Sequence, residues 1–235
     1  MRSEICVGAI VLTLVLPHCM MVTDGIEVDV AYQAPATPQA VETDMGYRVK
    51  LDRALISLGR VELLKCDNFA LQLWGLFVPG RARAHEESTP TSLGVPMIID
   101  LMESSGTVLF AGTLRPPPGR YCGIRVMGAP ADADAIGSTP ERAEMEESSV
   151  LLEGMVENSA TGDKEPLRAR ITEVIAYDML FDEPLVFDSP RSVSISVQID
   201  HMRWFDGIDF ASLGGAAVQE RLTENVRSSL TAERL

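Results

Sequence analysis

The chain has 235 residues, of which 46% are hydrophobic, and its 34 acidic side chains outnumber 20 basic ones to give a net charge of -14. This length fits one large domain or two small ones, and the apolar content is enough for a sizeable core. The acidic balance argues against a nucleic-acid partner, because neutralising phosphates needs clustered lysines and arginines; it leaves open whether the acidity only keeps the protein soluble or serves a cationic ligand or metal.

The first segment has the features of a secretory signal. Arg2 precedes an apolar run from Ile5 to Leu16 that is too short to span a bilayer as a helix. We therefore expect residues 1–21 to be a cleaved signal peptide and the protein to be periplasmic, attached to the outer membrane or secreted. Cys19 stands where a lipobox cysteine would, although His18 is not the small residue that motif prefers. Free secretion and membrane attachment through a lipidated Cys19 both stay open.

A tether and a β-rich region follow. Residues 22–45 are rich in Pro, Ala, Thr and Gln, and predict a linker with at most one edge strand. Between residues 46 and 200, short segments with β-strand patterns recur between turn signals, the cleanest being Ser192 to Ile199. We predict a mostly β fold, either an antiparallel β-sandwich or two packed β-modules. In the first of these segments, from Tyr47 to Leu63, the apolar residues switch between odd-numbered and even-numbered positions. This switch predicts a bulge near Arg53 and a turn near Gly59.

The stretch from Gly106 to Asp134 predicts two strands joined by a proline-stiffened turn. Three consecutive prolines at residues 116–118 remove three amide donors and must end the first strand. Gly112 within that strand predicts a bulge or a close backbone approach. An acidic loop with Asp132 and Asp134 follows the second strand.

Near the C-terminus, the spacing of apolar residues changes from the alternation of a strand to the spacing of a helix. A stripe of apolar residues four apart predicts an amphipathic helix from about Gly215 to Ser229; its members are Val218, Leu222, Val226 and Leu230. Three aromatic residues just upstream are expected to anchor the entry to this helix; they are Trp204, Phe205 and Phe210. Residues 201–235 therefore form a C-terminal aromatic segment and helix. The helix packs structurally or, as the alternative, binds a partner or a membrane surface.

Two cysteines remain once the signal is removed. Cys66 and Cys122 each lie in a predicted strand. Two thiols in an oxidising compartment usually pair, so we predict a disulfide between them. The alternative is two separate buried thiols.

Candidate metal ligands are few, and motifs for phosphate cradles, nucleophile elbows or helical zinc pairs are missing from the sequence. His85 lies in a long loop, His201 follows the cleanest strand, and Asp132 and Asp134 lie on a turn. These four residues are our candidate metal ligands. A copper site requires that the fold bring the two histidines together with a methionine such as Met127. Otherwise the histidines are ordinary loop and structural residues, and the aspartates only end a strand.

The order of these features resembles the MbnP-like bacterial periplasmic proteins. The resemblance rests on an early VELL strand end, a PPPGRYCGIRV turn and strand, an acidic loop, and Met145 followed by SSVLLEG. It implies an exported β-sandwich that binds copper. The methionine-led stretch here lacks the family's tryptophans and histidines are scarce, so no ligand set is carried over.

These observations favour an exported, non-enzymatic β-sandwich binding protein. Its binding surface is predicted in the loops Arg81 to Pro96 and Ala129 to Glu147, because long loops in small domains often bind ligands. The cofactor is not determined by the sequence, with a metal such as copper as the sharpest candidate. The alternatives are a structural or interaction lipoprotein of the bacterial envelope without a small ligand, and a hydrolase with an unrecognised site. No particular protein partner follows.

Overall fold

Two β-sheets pack together in the computed structural model, which describes residues 25–36, 40–68, 88–132, 134–137, 139–212 and 216–235. The expected signal peptide, Cys19, His85 and residues 81–87 of the predicted binding loop lie outside these ranges. The strands in chain order are β1 (Ile26–Gln33), β2 (Val41–Glu42), β3 (Tyr47–Lys65), β4 (Ser92–Leu93), β5 (Met97–Asp100), β6 (Val108–Leu114), β7 (Gly119–Gly128), β8 (Val150–Asn158), β9 (Lys164–Ile171), β10 (Ile175–Phe187), β11 (Arg191–Ile199) and β12 (Leu230–Arg234). The helices are α1 (Thr139–Met145) and α2 (Ala216–Ser228).

The predicted sandwich is confirmed. The small sheet has the order β12-β11-β1-β6, and the large sheet has the order β10-β7-β3-β8-β9, with β2, β4 and β5 also paired to β3. Alternate side chains of both sheets are buried in one core, as β11 shows with Val193, Ile195, Val197 and Ile199. Among the strand pairs described, β1 with β11 is parallel and the others are antiparallel.

Strand β1 differs from the prediction for the linker. It was expected to be an edge strand at most, but it lies inside the small sheet, between β11 and β6. Val28 and Val30 are fully buried. The Pro, Ala, Thr and Gln content of residues 22–45 concealed a short alternating segment whose partners lie far along the chain.

Strand β3 is a single strand of 19 residues and the axis of the large sheet. The predicted bulge is confirmed, because the pairing with β8 shifts between Leu51 and Arg53. The turn predicted near Gly59 is wrong. The strand continues through this position, and only its pairing with β7 shifts, between Leu58 and Val61. The shift in pairing between Leu58 and Val61 therefore explains the second change in the alternation of apolar residues, which the sequence had attributed to a turn.

The proline segment carries the chain from one sheet to the other. Strand β6 pairs with β1 in the small sheet, whereas β7 pairs with β3 and β10 in the large sheet. The Tyr121 hydroxyl donates a hydrogen bond to the Pro117 carbonyl at 2.9 Å, which fixes this crossing. The bulge predicted at Gly112 is confirmed by a register shift opposite Val30 and a φ of 150°.

The C-terminal helix is confirmed as α2, whose Leu222 and Val226 are buried in the core. Trp204 is fully buried and its indole N–H donates to Ser229 Oγ at 2.7 Å, while the Asn225 amide donates to the Trp204 carbonyl at 2.9 Å. The chain then returns as β12, which extends the small sheet. Neither described helix has the length and apolar character needed to cross a bilayer.

The predicted disulfide is also confirmed. Cys66 follows the last residue of β3, Cys122 lies near the start of β7, and the Cα atoms of the pair are 5.0 Å apart. The bridge ties neighbouring strands of the large sheet together where their backbone pairing becomes irregular, between Leu64 and Lys65.

Candidate metal centre

The two predicted aspartate ligands form a turn. Asp132 Oδ1 accepts the backbone N–H of Asp134 at 3.1 Å, and the Asp132 carbonyl accepts the N–H of Ala135 at 3.2 Å. Asp134 is exposed and Asp132 is half-buried. One carboxylate oxygen of Asp132 is therefore occupied by the backbone, as is usual where an aspartate organises a turn.

His201 lies in the protein interior. Its side chain is 0% exposed, and its ring meets the Trp204 ring edge-on with centroids 6.2 Å apart. Burial is the largest influence on its pKa, which lies below the ordinary value. Among the described residues, His201 does not join Asp132 or Asp134 in any group of three ligand atoms within 4.8 Å. The structure does not bring these predicted ligands together, and His85 lies outside the described residues.

A second apolar cluster lies on the outer face of the large sheet. Because neighbouring residues of a strand point to opposite faces, Ala54 joins the core between the sheets and Leu55 points outward. Helix α1 covers the outward side chains through Met145, which is 0% exposed. The cluster consists of Leu55, Ile98, Ala131, Ala135, Met145 and Leu151.

The packing of α1 brings Glu141 to the end of β5. Glu141 precedes Met145 by one helical turn, so both side chains lie on the same face of the helix. The loop before α1 is attached to β5, because Ile98 N–H donates to the Ile136 carbonyl at 2.8 Å. Gly137 permits this close approach, since a Cβ there would lie 3.1 Å from the Ile98 Cβ.

Three carboxylates meet at this point and form the acidic triad of Asp100, Glu103 and Glu141. One oxygen from each lies within 4.8 Å of the others. Asp100 Oδ1 accepts the backbone N–H groups of Met102 at 2.8 Å and Glu103 at 3.4 Å, which holds the turn after β5 in place. Asp100 and Glu141 are half-buried and Glu103 is exposed, so the triad is open to solvent ions.

The chemistry of the triad suits a hard divalent cation. Calcium and magnesium take oxygen ligands, with waters completing the shell, whereas copper prefers imidazole and sulfur ligands. No other group of three histidine, cysteine or carboxylate ligands this close occurs in the part of the chain that the structure describes. The candidate centre therefore differs from the three expected ligands that the structure describes, which are Asp132, Asp134 and His201.

Only part of this candidate centre could be predicted from the sequence. Glu141 lies within the predicted Ala129–Glu147 loop, but its position beside Asp100 depends on how α1 packs. Asp100 and Glu103 stand three residues apart at the end of an apolar strand, a spacing that is common in turns without a ligand. Two backbone hydrogen bonds of Ile136, with Ile98 and with Pro96, join the two regions.

Comparisons with known proteins give a weak structural resemblance. No protein-family model matches the chain, and no curated protein matches it. The chain is similar to the solved structure of MbnP from Methylosinus trichosporium at 11% sequence identity, over 73% of this chain and 75% of that chain, with a TM-score of 0.31. The resemblance expected from the sequence is therefore supported only at this weak level.

Proposed function

We propose that this chain is an exported, non-enzymatic β-sandwich protein that binds a hard divalent cation at the acidic triad. The observation that carries the proposal is the convergence of Asp100, Glu103 and Glu141 within 4.8 Å. Export is supported by the apolar leader and by the Cys66–Cys122 disulfide, because such bridges form and persist in oxidising compartments.

Electrostatics favours a bound cation at this position. Within the described residues, neither Asp100 nor Glu103 forms a salt bridge. The nearby Arg53 is instead paired with Glu144 on the following turn of α1. Asp100 and Glu103 are like charges close together in a chain that already carries a net charge of -14, and a divalent cation would offset their repulsion.

Binding is tested by calorimetric titration of chelator-treated protein with calcium, manganese and copper salts in separate experiments. We expect calcium or manganese to bind with a stoichiometry of one and to raise the melting temperature, as a ligand specific for the folded state must. Replacing Glu141 by Gln removes one ligand charge while keeping the shape of the side chain. Its expected effect is a loss of about tenfold or more in affinity for the cation.

The matched control is Glu147→Gln, which makes the same charge change at an exposed position just after α1. Its affinity should equal that of the unsubstituted protein. Equal weakening by both variants would show that only net charge matters. Failure of all three metals to bind would favour the structural lipoprotein without a small ligand. Copper binding that is insensitive to Glu141→Gln would place the ligands elsewhere.

A further inference from the structure

A cleft of about 220 Å³ opens at one end of the sandwich. It lies between the first residue of β3, the hairpin that joins β8 to β9, and the short 3-10 segment Phe210–Ser212. Its main lining residues are Tyr47, Val156, Asn158, Asp163, Glu165 and Phe210. We call this the Tyr47 cleft. It is separate from the acidic triad, and its proposed role goes beyond the function proposed above.

The hairpin side of the Tyr47 cleft is fixed by hydrogen bonds. Asn158 Oδ1 accepts the backbone N–H groups of Ala160 at 2.9 Å and Thr161 at 3.2 Å. The Thr161 hydroxyl in turn donates to Asp163 Oδ2 at 2.7 Å. These contacts hold Asp163 at the rim before any ligand arrives, which reduces the ordering cost of binding.

The opposite side is aromatic. The half-buried Tyr47 ring and the Phe210 ring, which is only 3% exposed, meet edge-on with centroids 5.4 Å apart, so Tyr47 supplies most of the aromatic wall that a ligand can reach. The Tyr47 hydroxyl donates to Asp209 Oδ1 at 2.7 Å, and the same oxygen accepts the backbone N–H of Ala211 at 3.0 Å. The hydrogen bond from Tyr47 is the largest cause that lowers the pKa of Asp209, and it raises the pKa of Tyr47. A neutral phenol therefore stands beside a charged carboxylate.

Two carboxylates give the rim of the Tyr47 cleft a negative charge. In the described part of the chain, neither Asp163 nor Glu165 forms a salt bridge. The neighbouring Lys164 is paired with Glu157 at 3.4 Å, so it does not neutralise them. Both rim carboxylates are exposed and reachable by a ligand.

We propose that the Tyr47 cleft binds an organic cation, an ammonium or guanidinium group seated against the aromatic wall and facing Asp163 and Glu165. Aromatic faces attract such cations, and carboxylates nearby add charge complementarity. The carboxylates of this cleft do not form a group of three ligand atoms within 4.8 Å, which disfavours a bare metal ion. A cleft of about 220 Å³ is smaller than sites for drug-sized ligands, which hold ~300–1,000 Å³, and suits a small head group.

The test uses n-butylammonium as the probe and n-butanol as its uncharged counterpart. Titration into isotopically labelled protein, followed by NMR, should shift the signals of Tyr47, Phe210 and Ala211 with n-butylammonium only. A dissociation constant on the order of 1 mM is expected for so small a probe. Equal shifts with n-butanol, or no shifts at these residues, would overturn the proposal.

Variants distinguish specific binding in the Tyr47 cleft from a general effect of the protein's net charge. Glu165→Gln should weaken n-butylammonium binding about threefold to fivefold, and Tyr47→Leu should weaken it about as much by removing the aromatic face. Glu183→Gln is the matched control, because Glu183 is an exposed residue of β10, at the opposite edge of the large sheet from β9. It should leave the affinity unchanged. Equal weakening by Glu165→Gln and Glu183→Gln would also overturn the proposal.

Two further probes distinguish the sources of the cation. A short peptide with one central lysine represents the side chain of a protein partner, and putrescine represents a free amine. Tighter binding of the peptide than of both n-butylammonium and putrescine would identify a partner protein. Binding of putrescine as tight as that of the peptide, or tighter, would identify a free amine. Both results support the cation site, and neither depends on metal binding at the acidic triad.

Discussion

Arg125 and Asp178 form a two-point ion pair across β7 and β10 on the large sheet. The Nε and Nη2 atoms of Arg125 lie 2.5 and 2.8 Å from the two carboxylate oxygens of Asp178. Their side chains are only 15% and 18% exposed. Two parallel hydrogen bonds in a partly buried setting make this pair different from an exposed salt bridge such as Arg168 with Glu153, because water screens it less.

Replacing Asp178 by Asn should therefore be markedly destabilising. The variant leaves the Arg125 charge partly buried beside a neutral group, and Glu62 supplies only part of the lost attraction. We expect a loss of about 2–3 kcal/mol in the free energy of unfolding, measured by urea denaturation. The comparison is Glu153→Gln, which breaks the exposed pair with Arg168, whose side chain is 75% exposed, and should cost about 0.5 kcal/mol or less. Equal losses in the free energy of unfolding of the two variants would show that burial does not make the Arg125–Asp178 pair more stabilising than the exposed pair.

Removal of the disulfide is the second prediction. The bridge spans 56 residues of sequence, and closing a loop of that length stabilises a protein by about 4 kcal/mol in the chain-entropy account. The double variant Cys66→Ser and Cys122→Ser should lower the melting temperature by roughly 8–16 °C. The reduced form of the unsubstituted protein serves as its control and should melt near the variant. A melting temperature unchanged by both treatments would contradict this role.

The elements that the sequence predicted are those with local patterns. Strand β11 is recognised by the alternation of its own side chains, and helix α2 by the four-residue spacing of Leu222 and Val226. Both patterns lie within one element and can be read without knowing its tertiary contacts. The pairing of Cys66 with Cys122 was predicted because the other two cysteines, Cys6 and Cys19, lie in the expected signal peptide. These predictions needed no knowledge of the tertiary arrangement.

The errors and omissions concern contacts between distant parts of the chain. Strand β1 is interior because β11 and β6 pair with its two sides, and nothing within residues 26–33 specifies those partners. Tyr47 and Asp209 are separated by 162 positions, so the aromatic wall of the Tyr47 cleft has no local signature. The acidic triad likewise depends on the packing of α1 against β5. Both proposed binding sites therefore depend on tertiary contacts, whereas most strands and the C-terminal helix are encoded by local patterns.

The contact between Tyr47 and Asp209 gives the third prediction. Tyr47→Phe keeps the ring but removes the hydroxyl donor, so the pKa of Asp209 should rise towards the ordinary aspartate value near ~3.9. A lowered folded-state pKa contributes stability above the unfolded pKa, and that contribution is lost as pH falls through the folded pKa. NMR titration of the Asp209 carboxyl measures the change. Tyr121→Phe is the control, since its hydroxyl donates to the Pro117 carbonyl, and a similar rise in that variant would rule out the direct contact.

The last prediction concerns the buried His201, whose pKa is lowered chiefly by burial. Below the unfolded pKa of about 6.5, the unfolded chain takes up a proton that the folded protein excludes. Stability contributed by the neutral imidazole is therefore complete above about pH 6.5 and falls as pH drops towards the folded pKa, by at most about 1.4 kcal/mol per pH unit. Urea denaturation between about pH 7.5 and 5.5 should show this loss in the unsubstituted protein and not in His201→Gln.

The comparison of these two proteins isolates His201, because the other histidines are common to both and their titration cancels in the difference. The carboxylates are likewise common to both proteins, so their contribution also cancels in the difference. NMR of the unsubstituted protein provides an independent measurement, since burial should make the His201 ring signals titrate at a lower pH than an ordinary histidine while the protein is folded. A constant difference in the free energy of unfolding across the window, together with a ring that titrates near pH 6.5, would show that His201 is hydrated rather than enclosed beside Trp204.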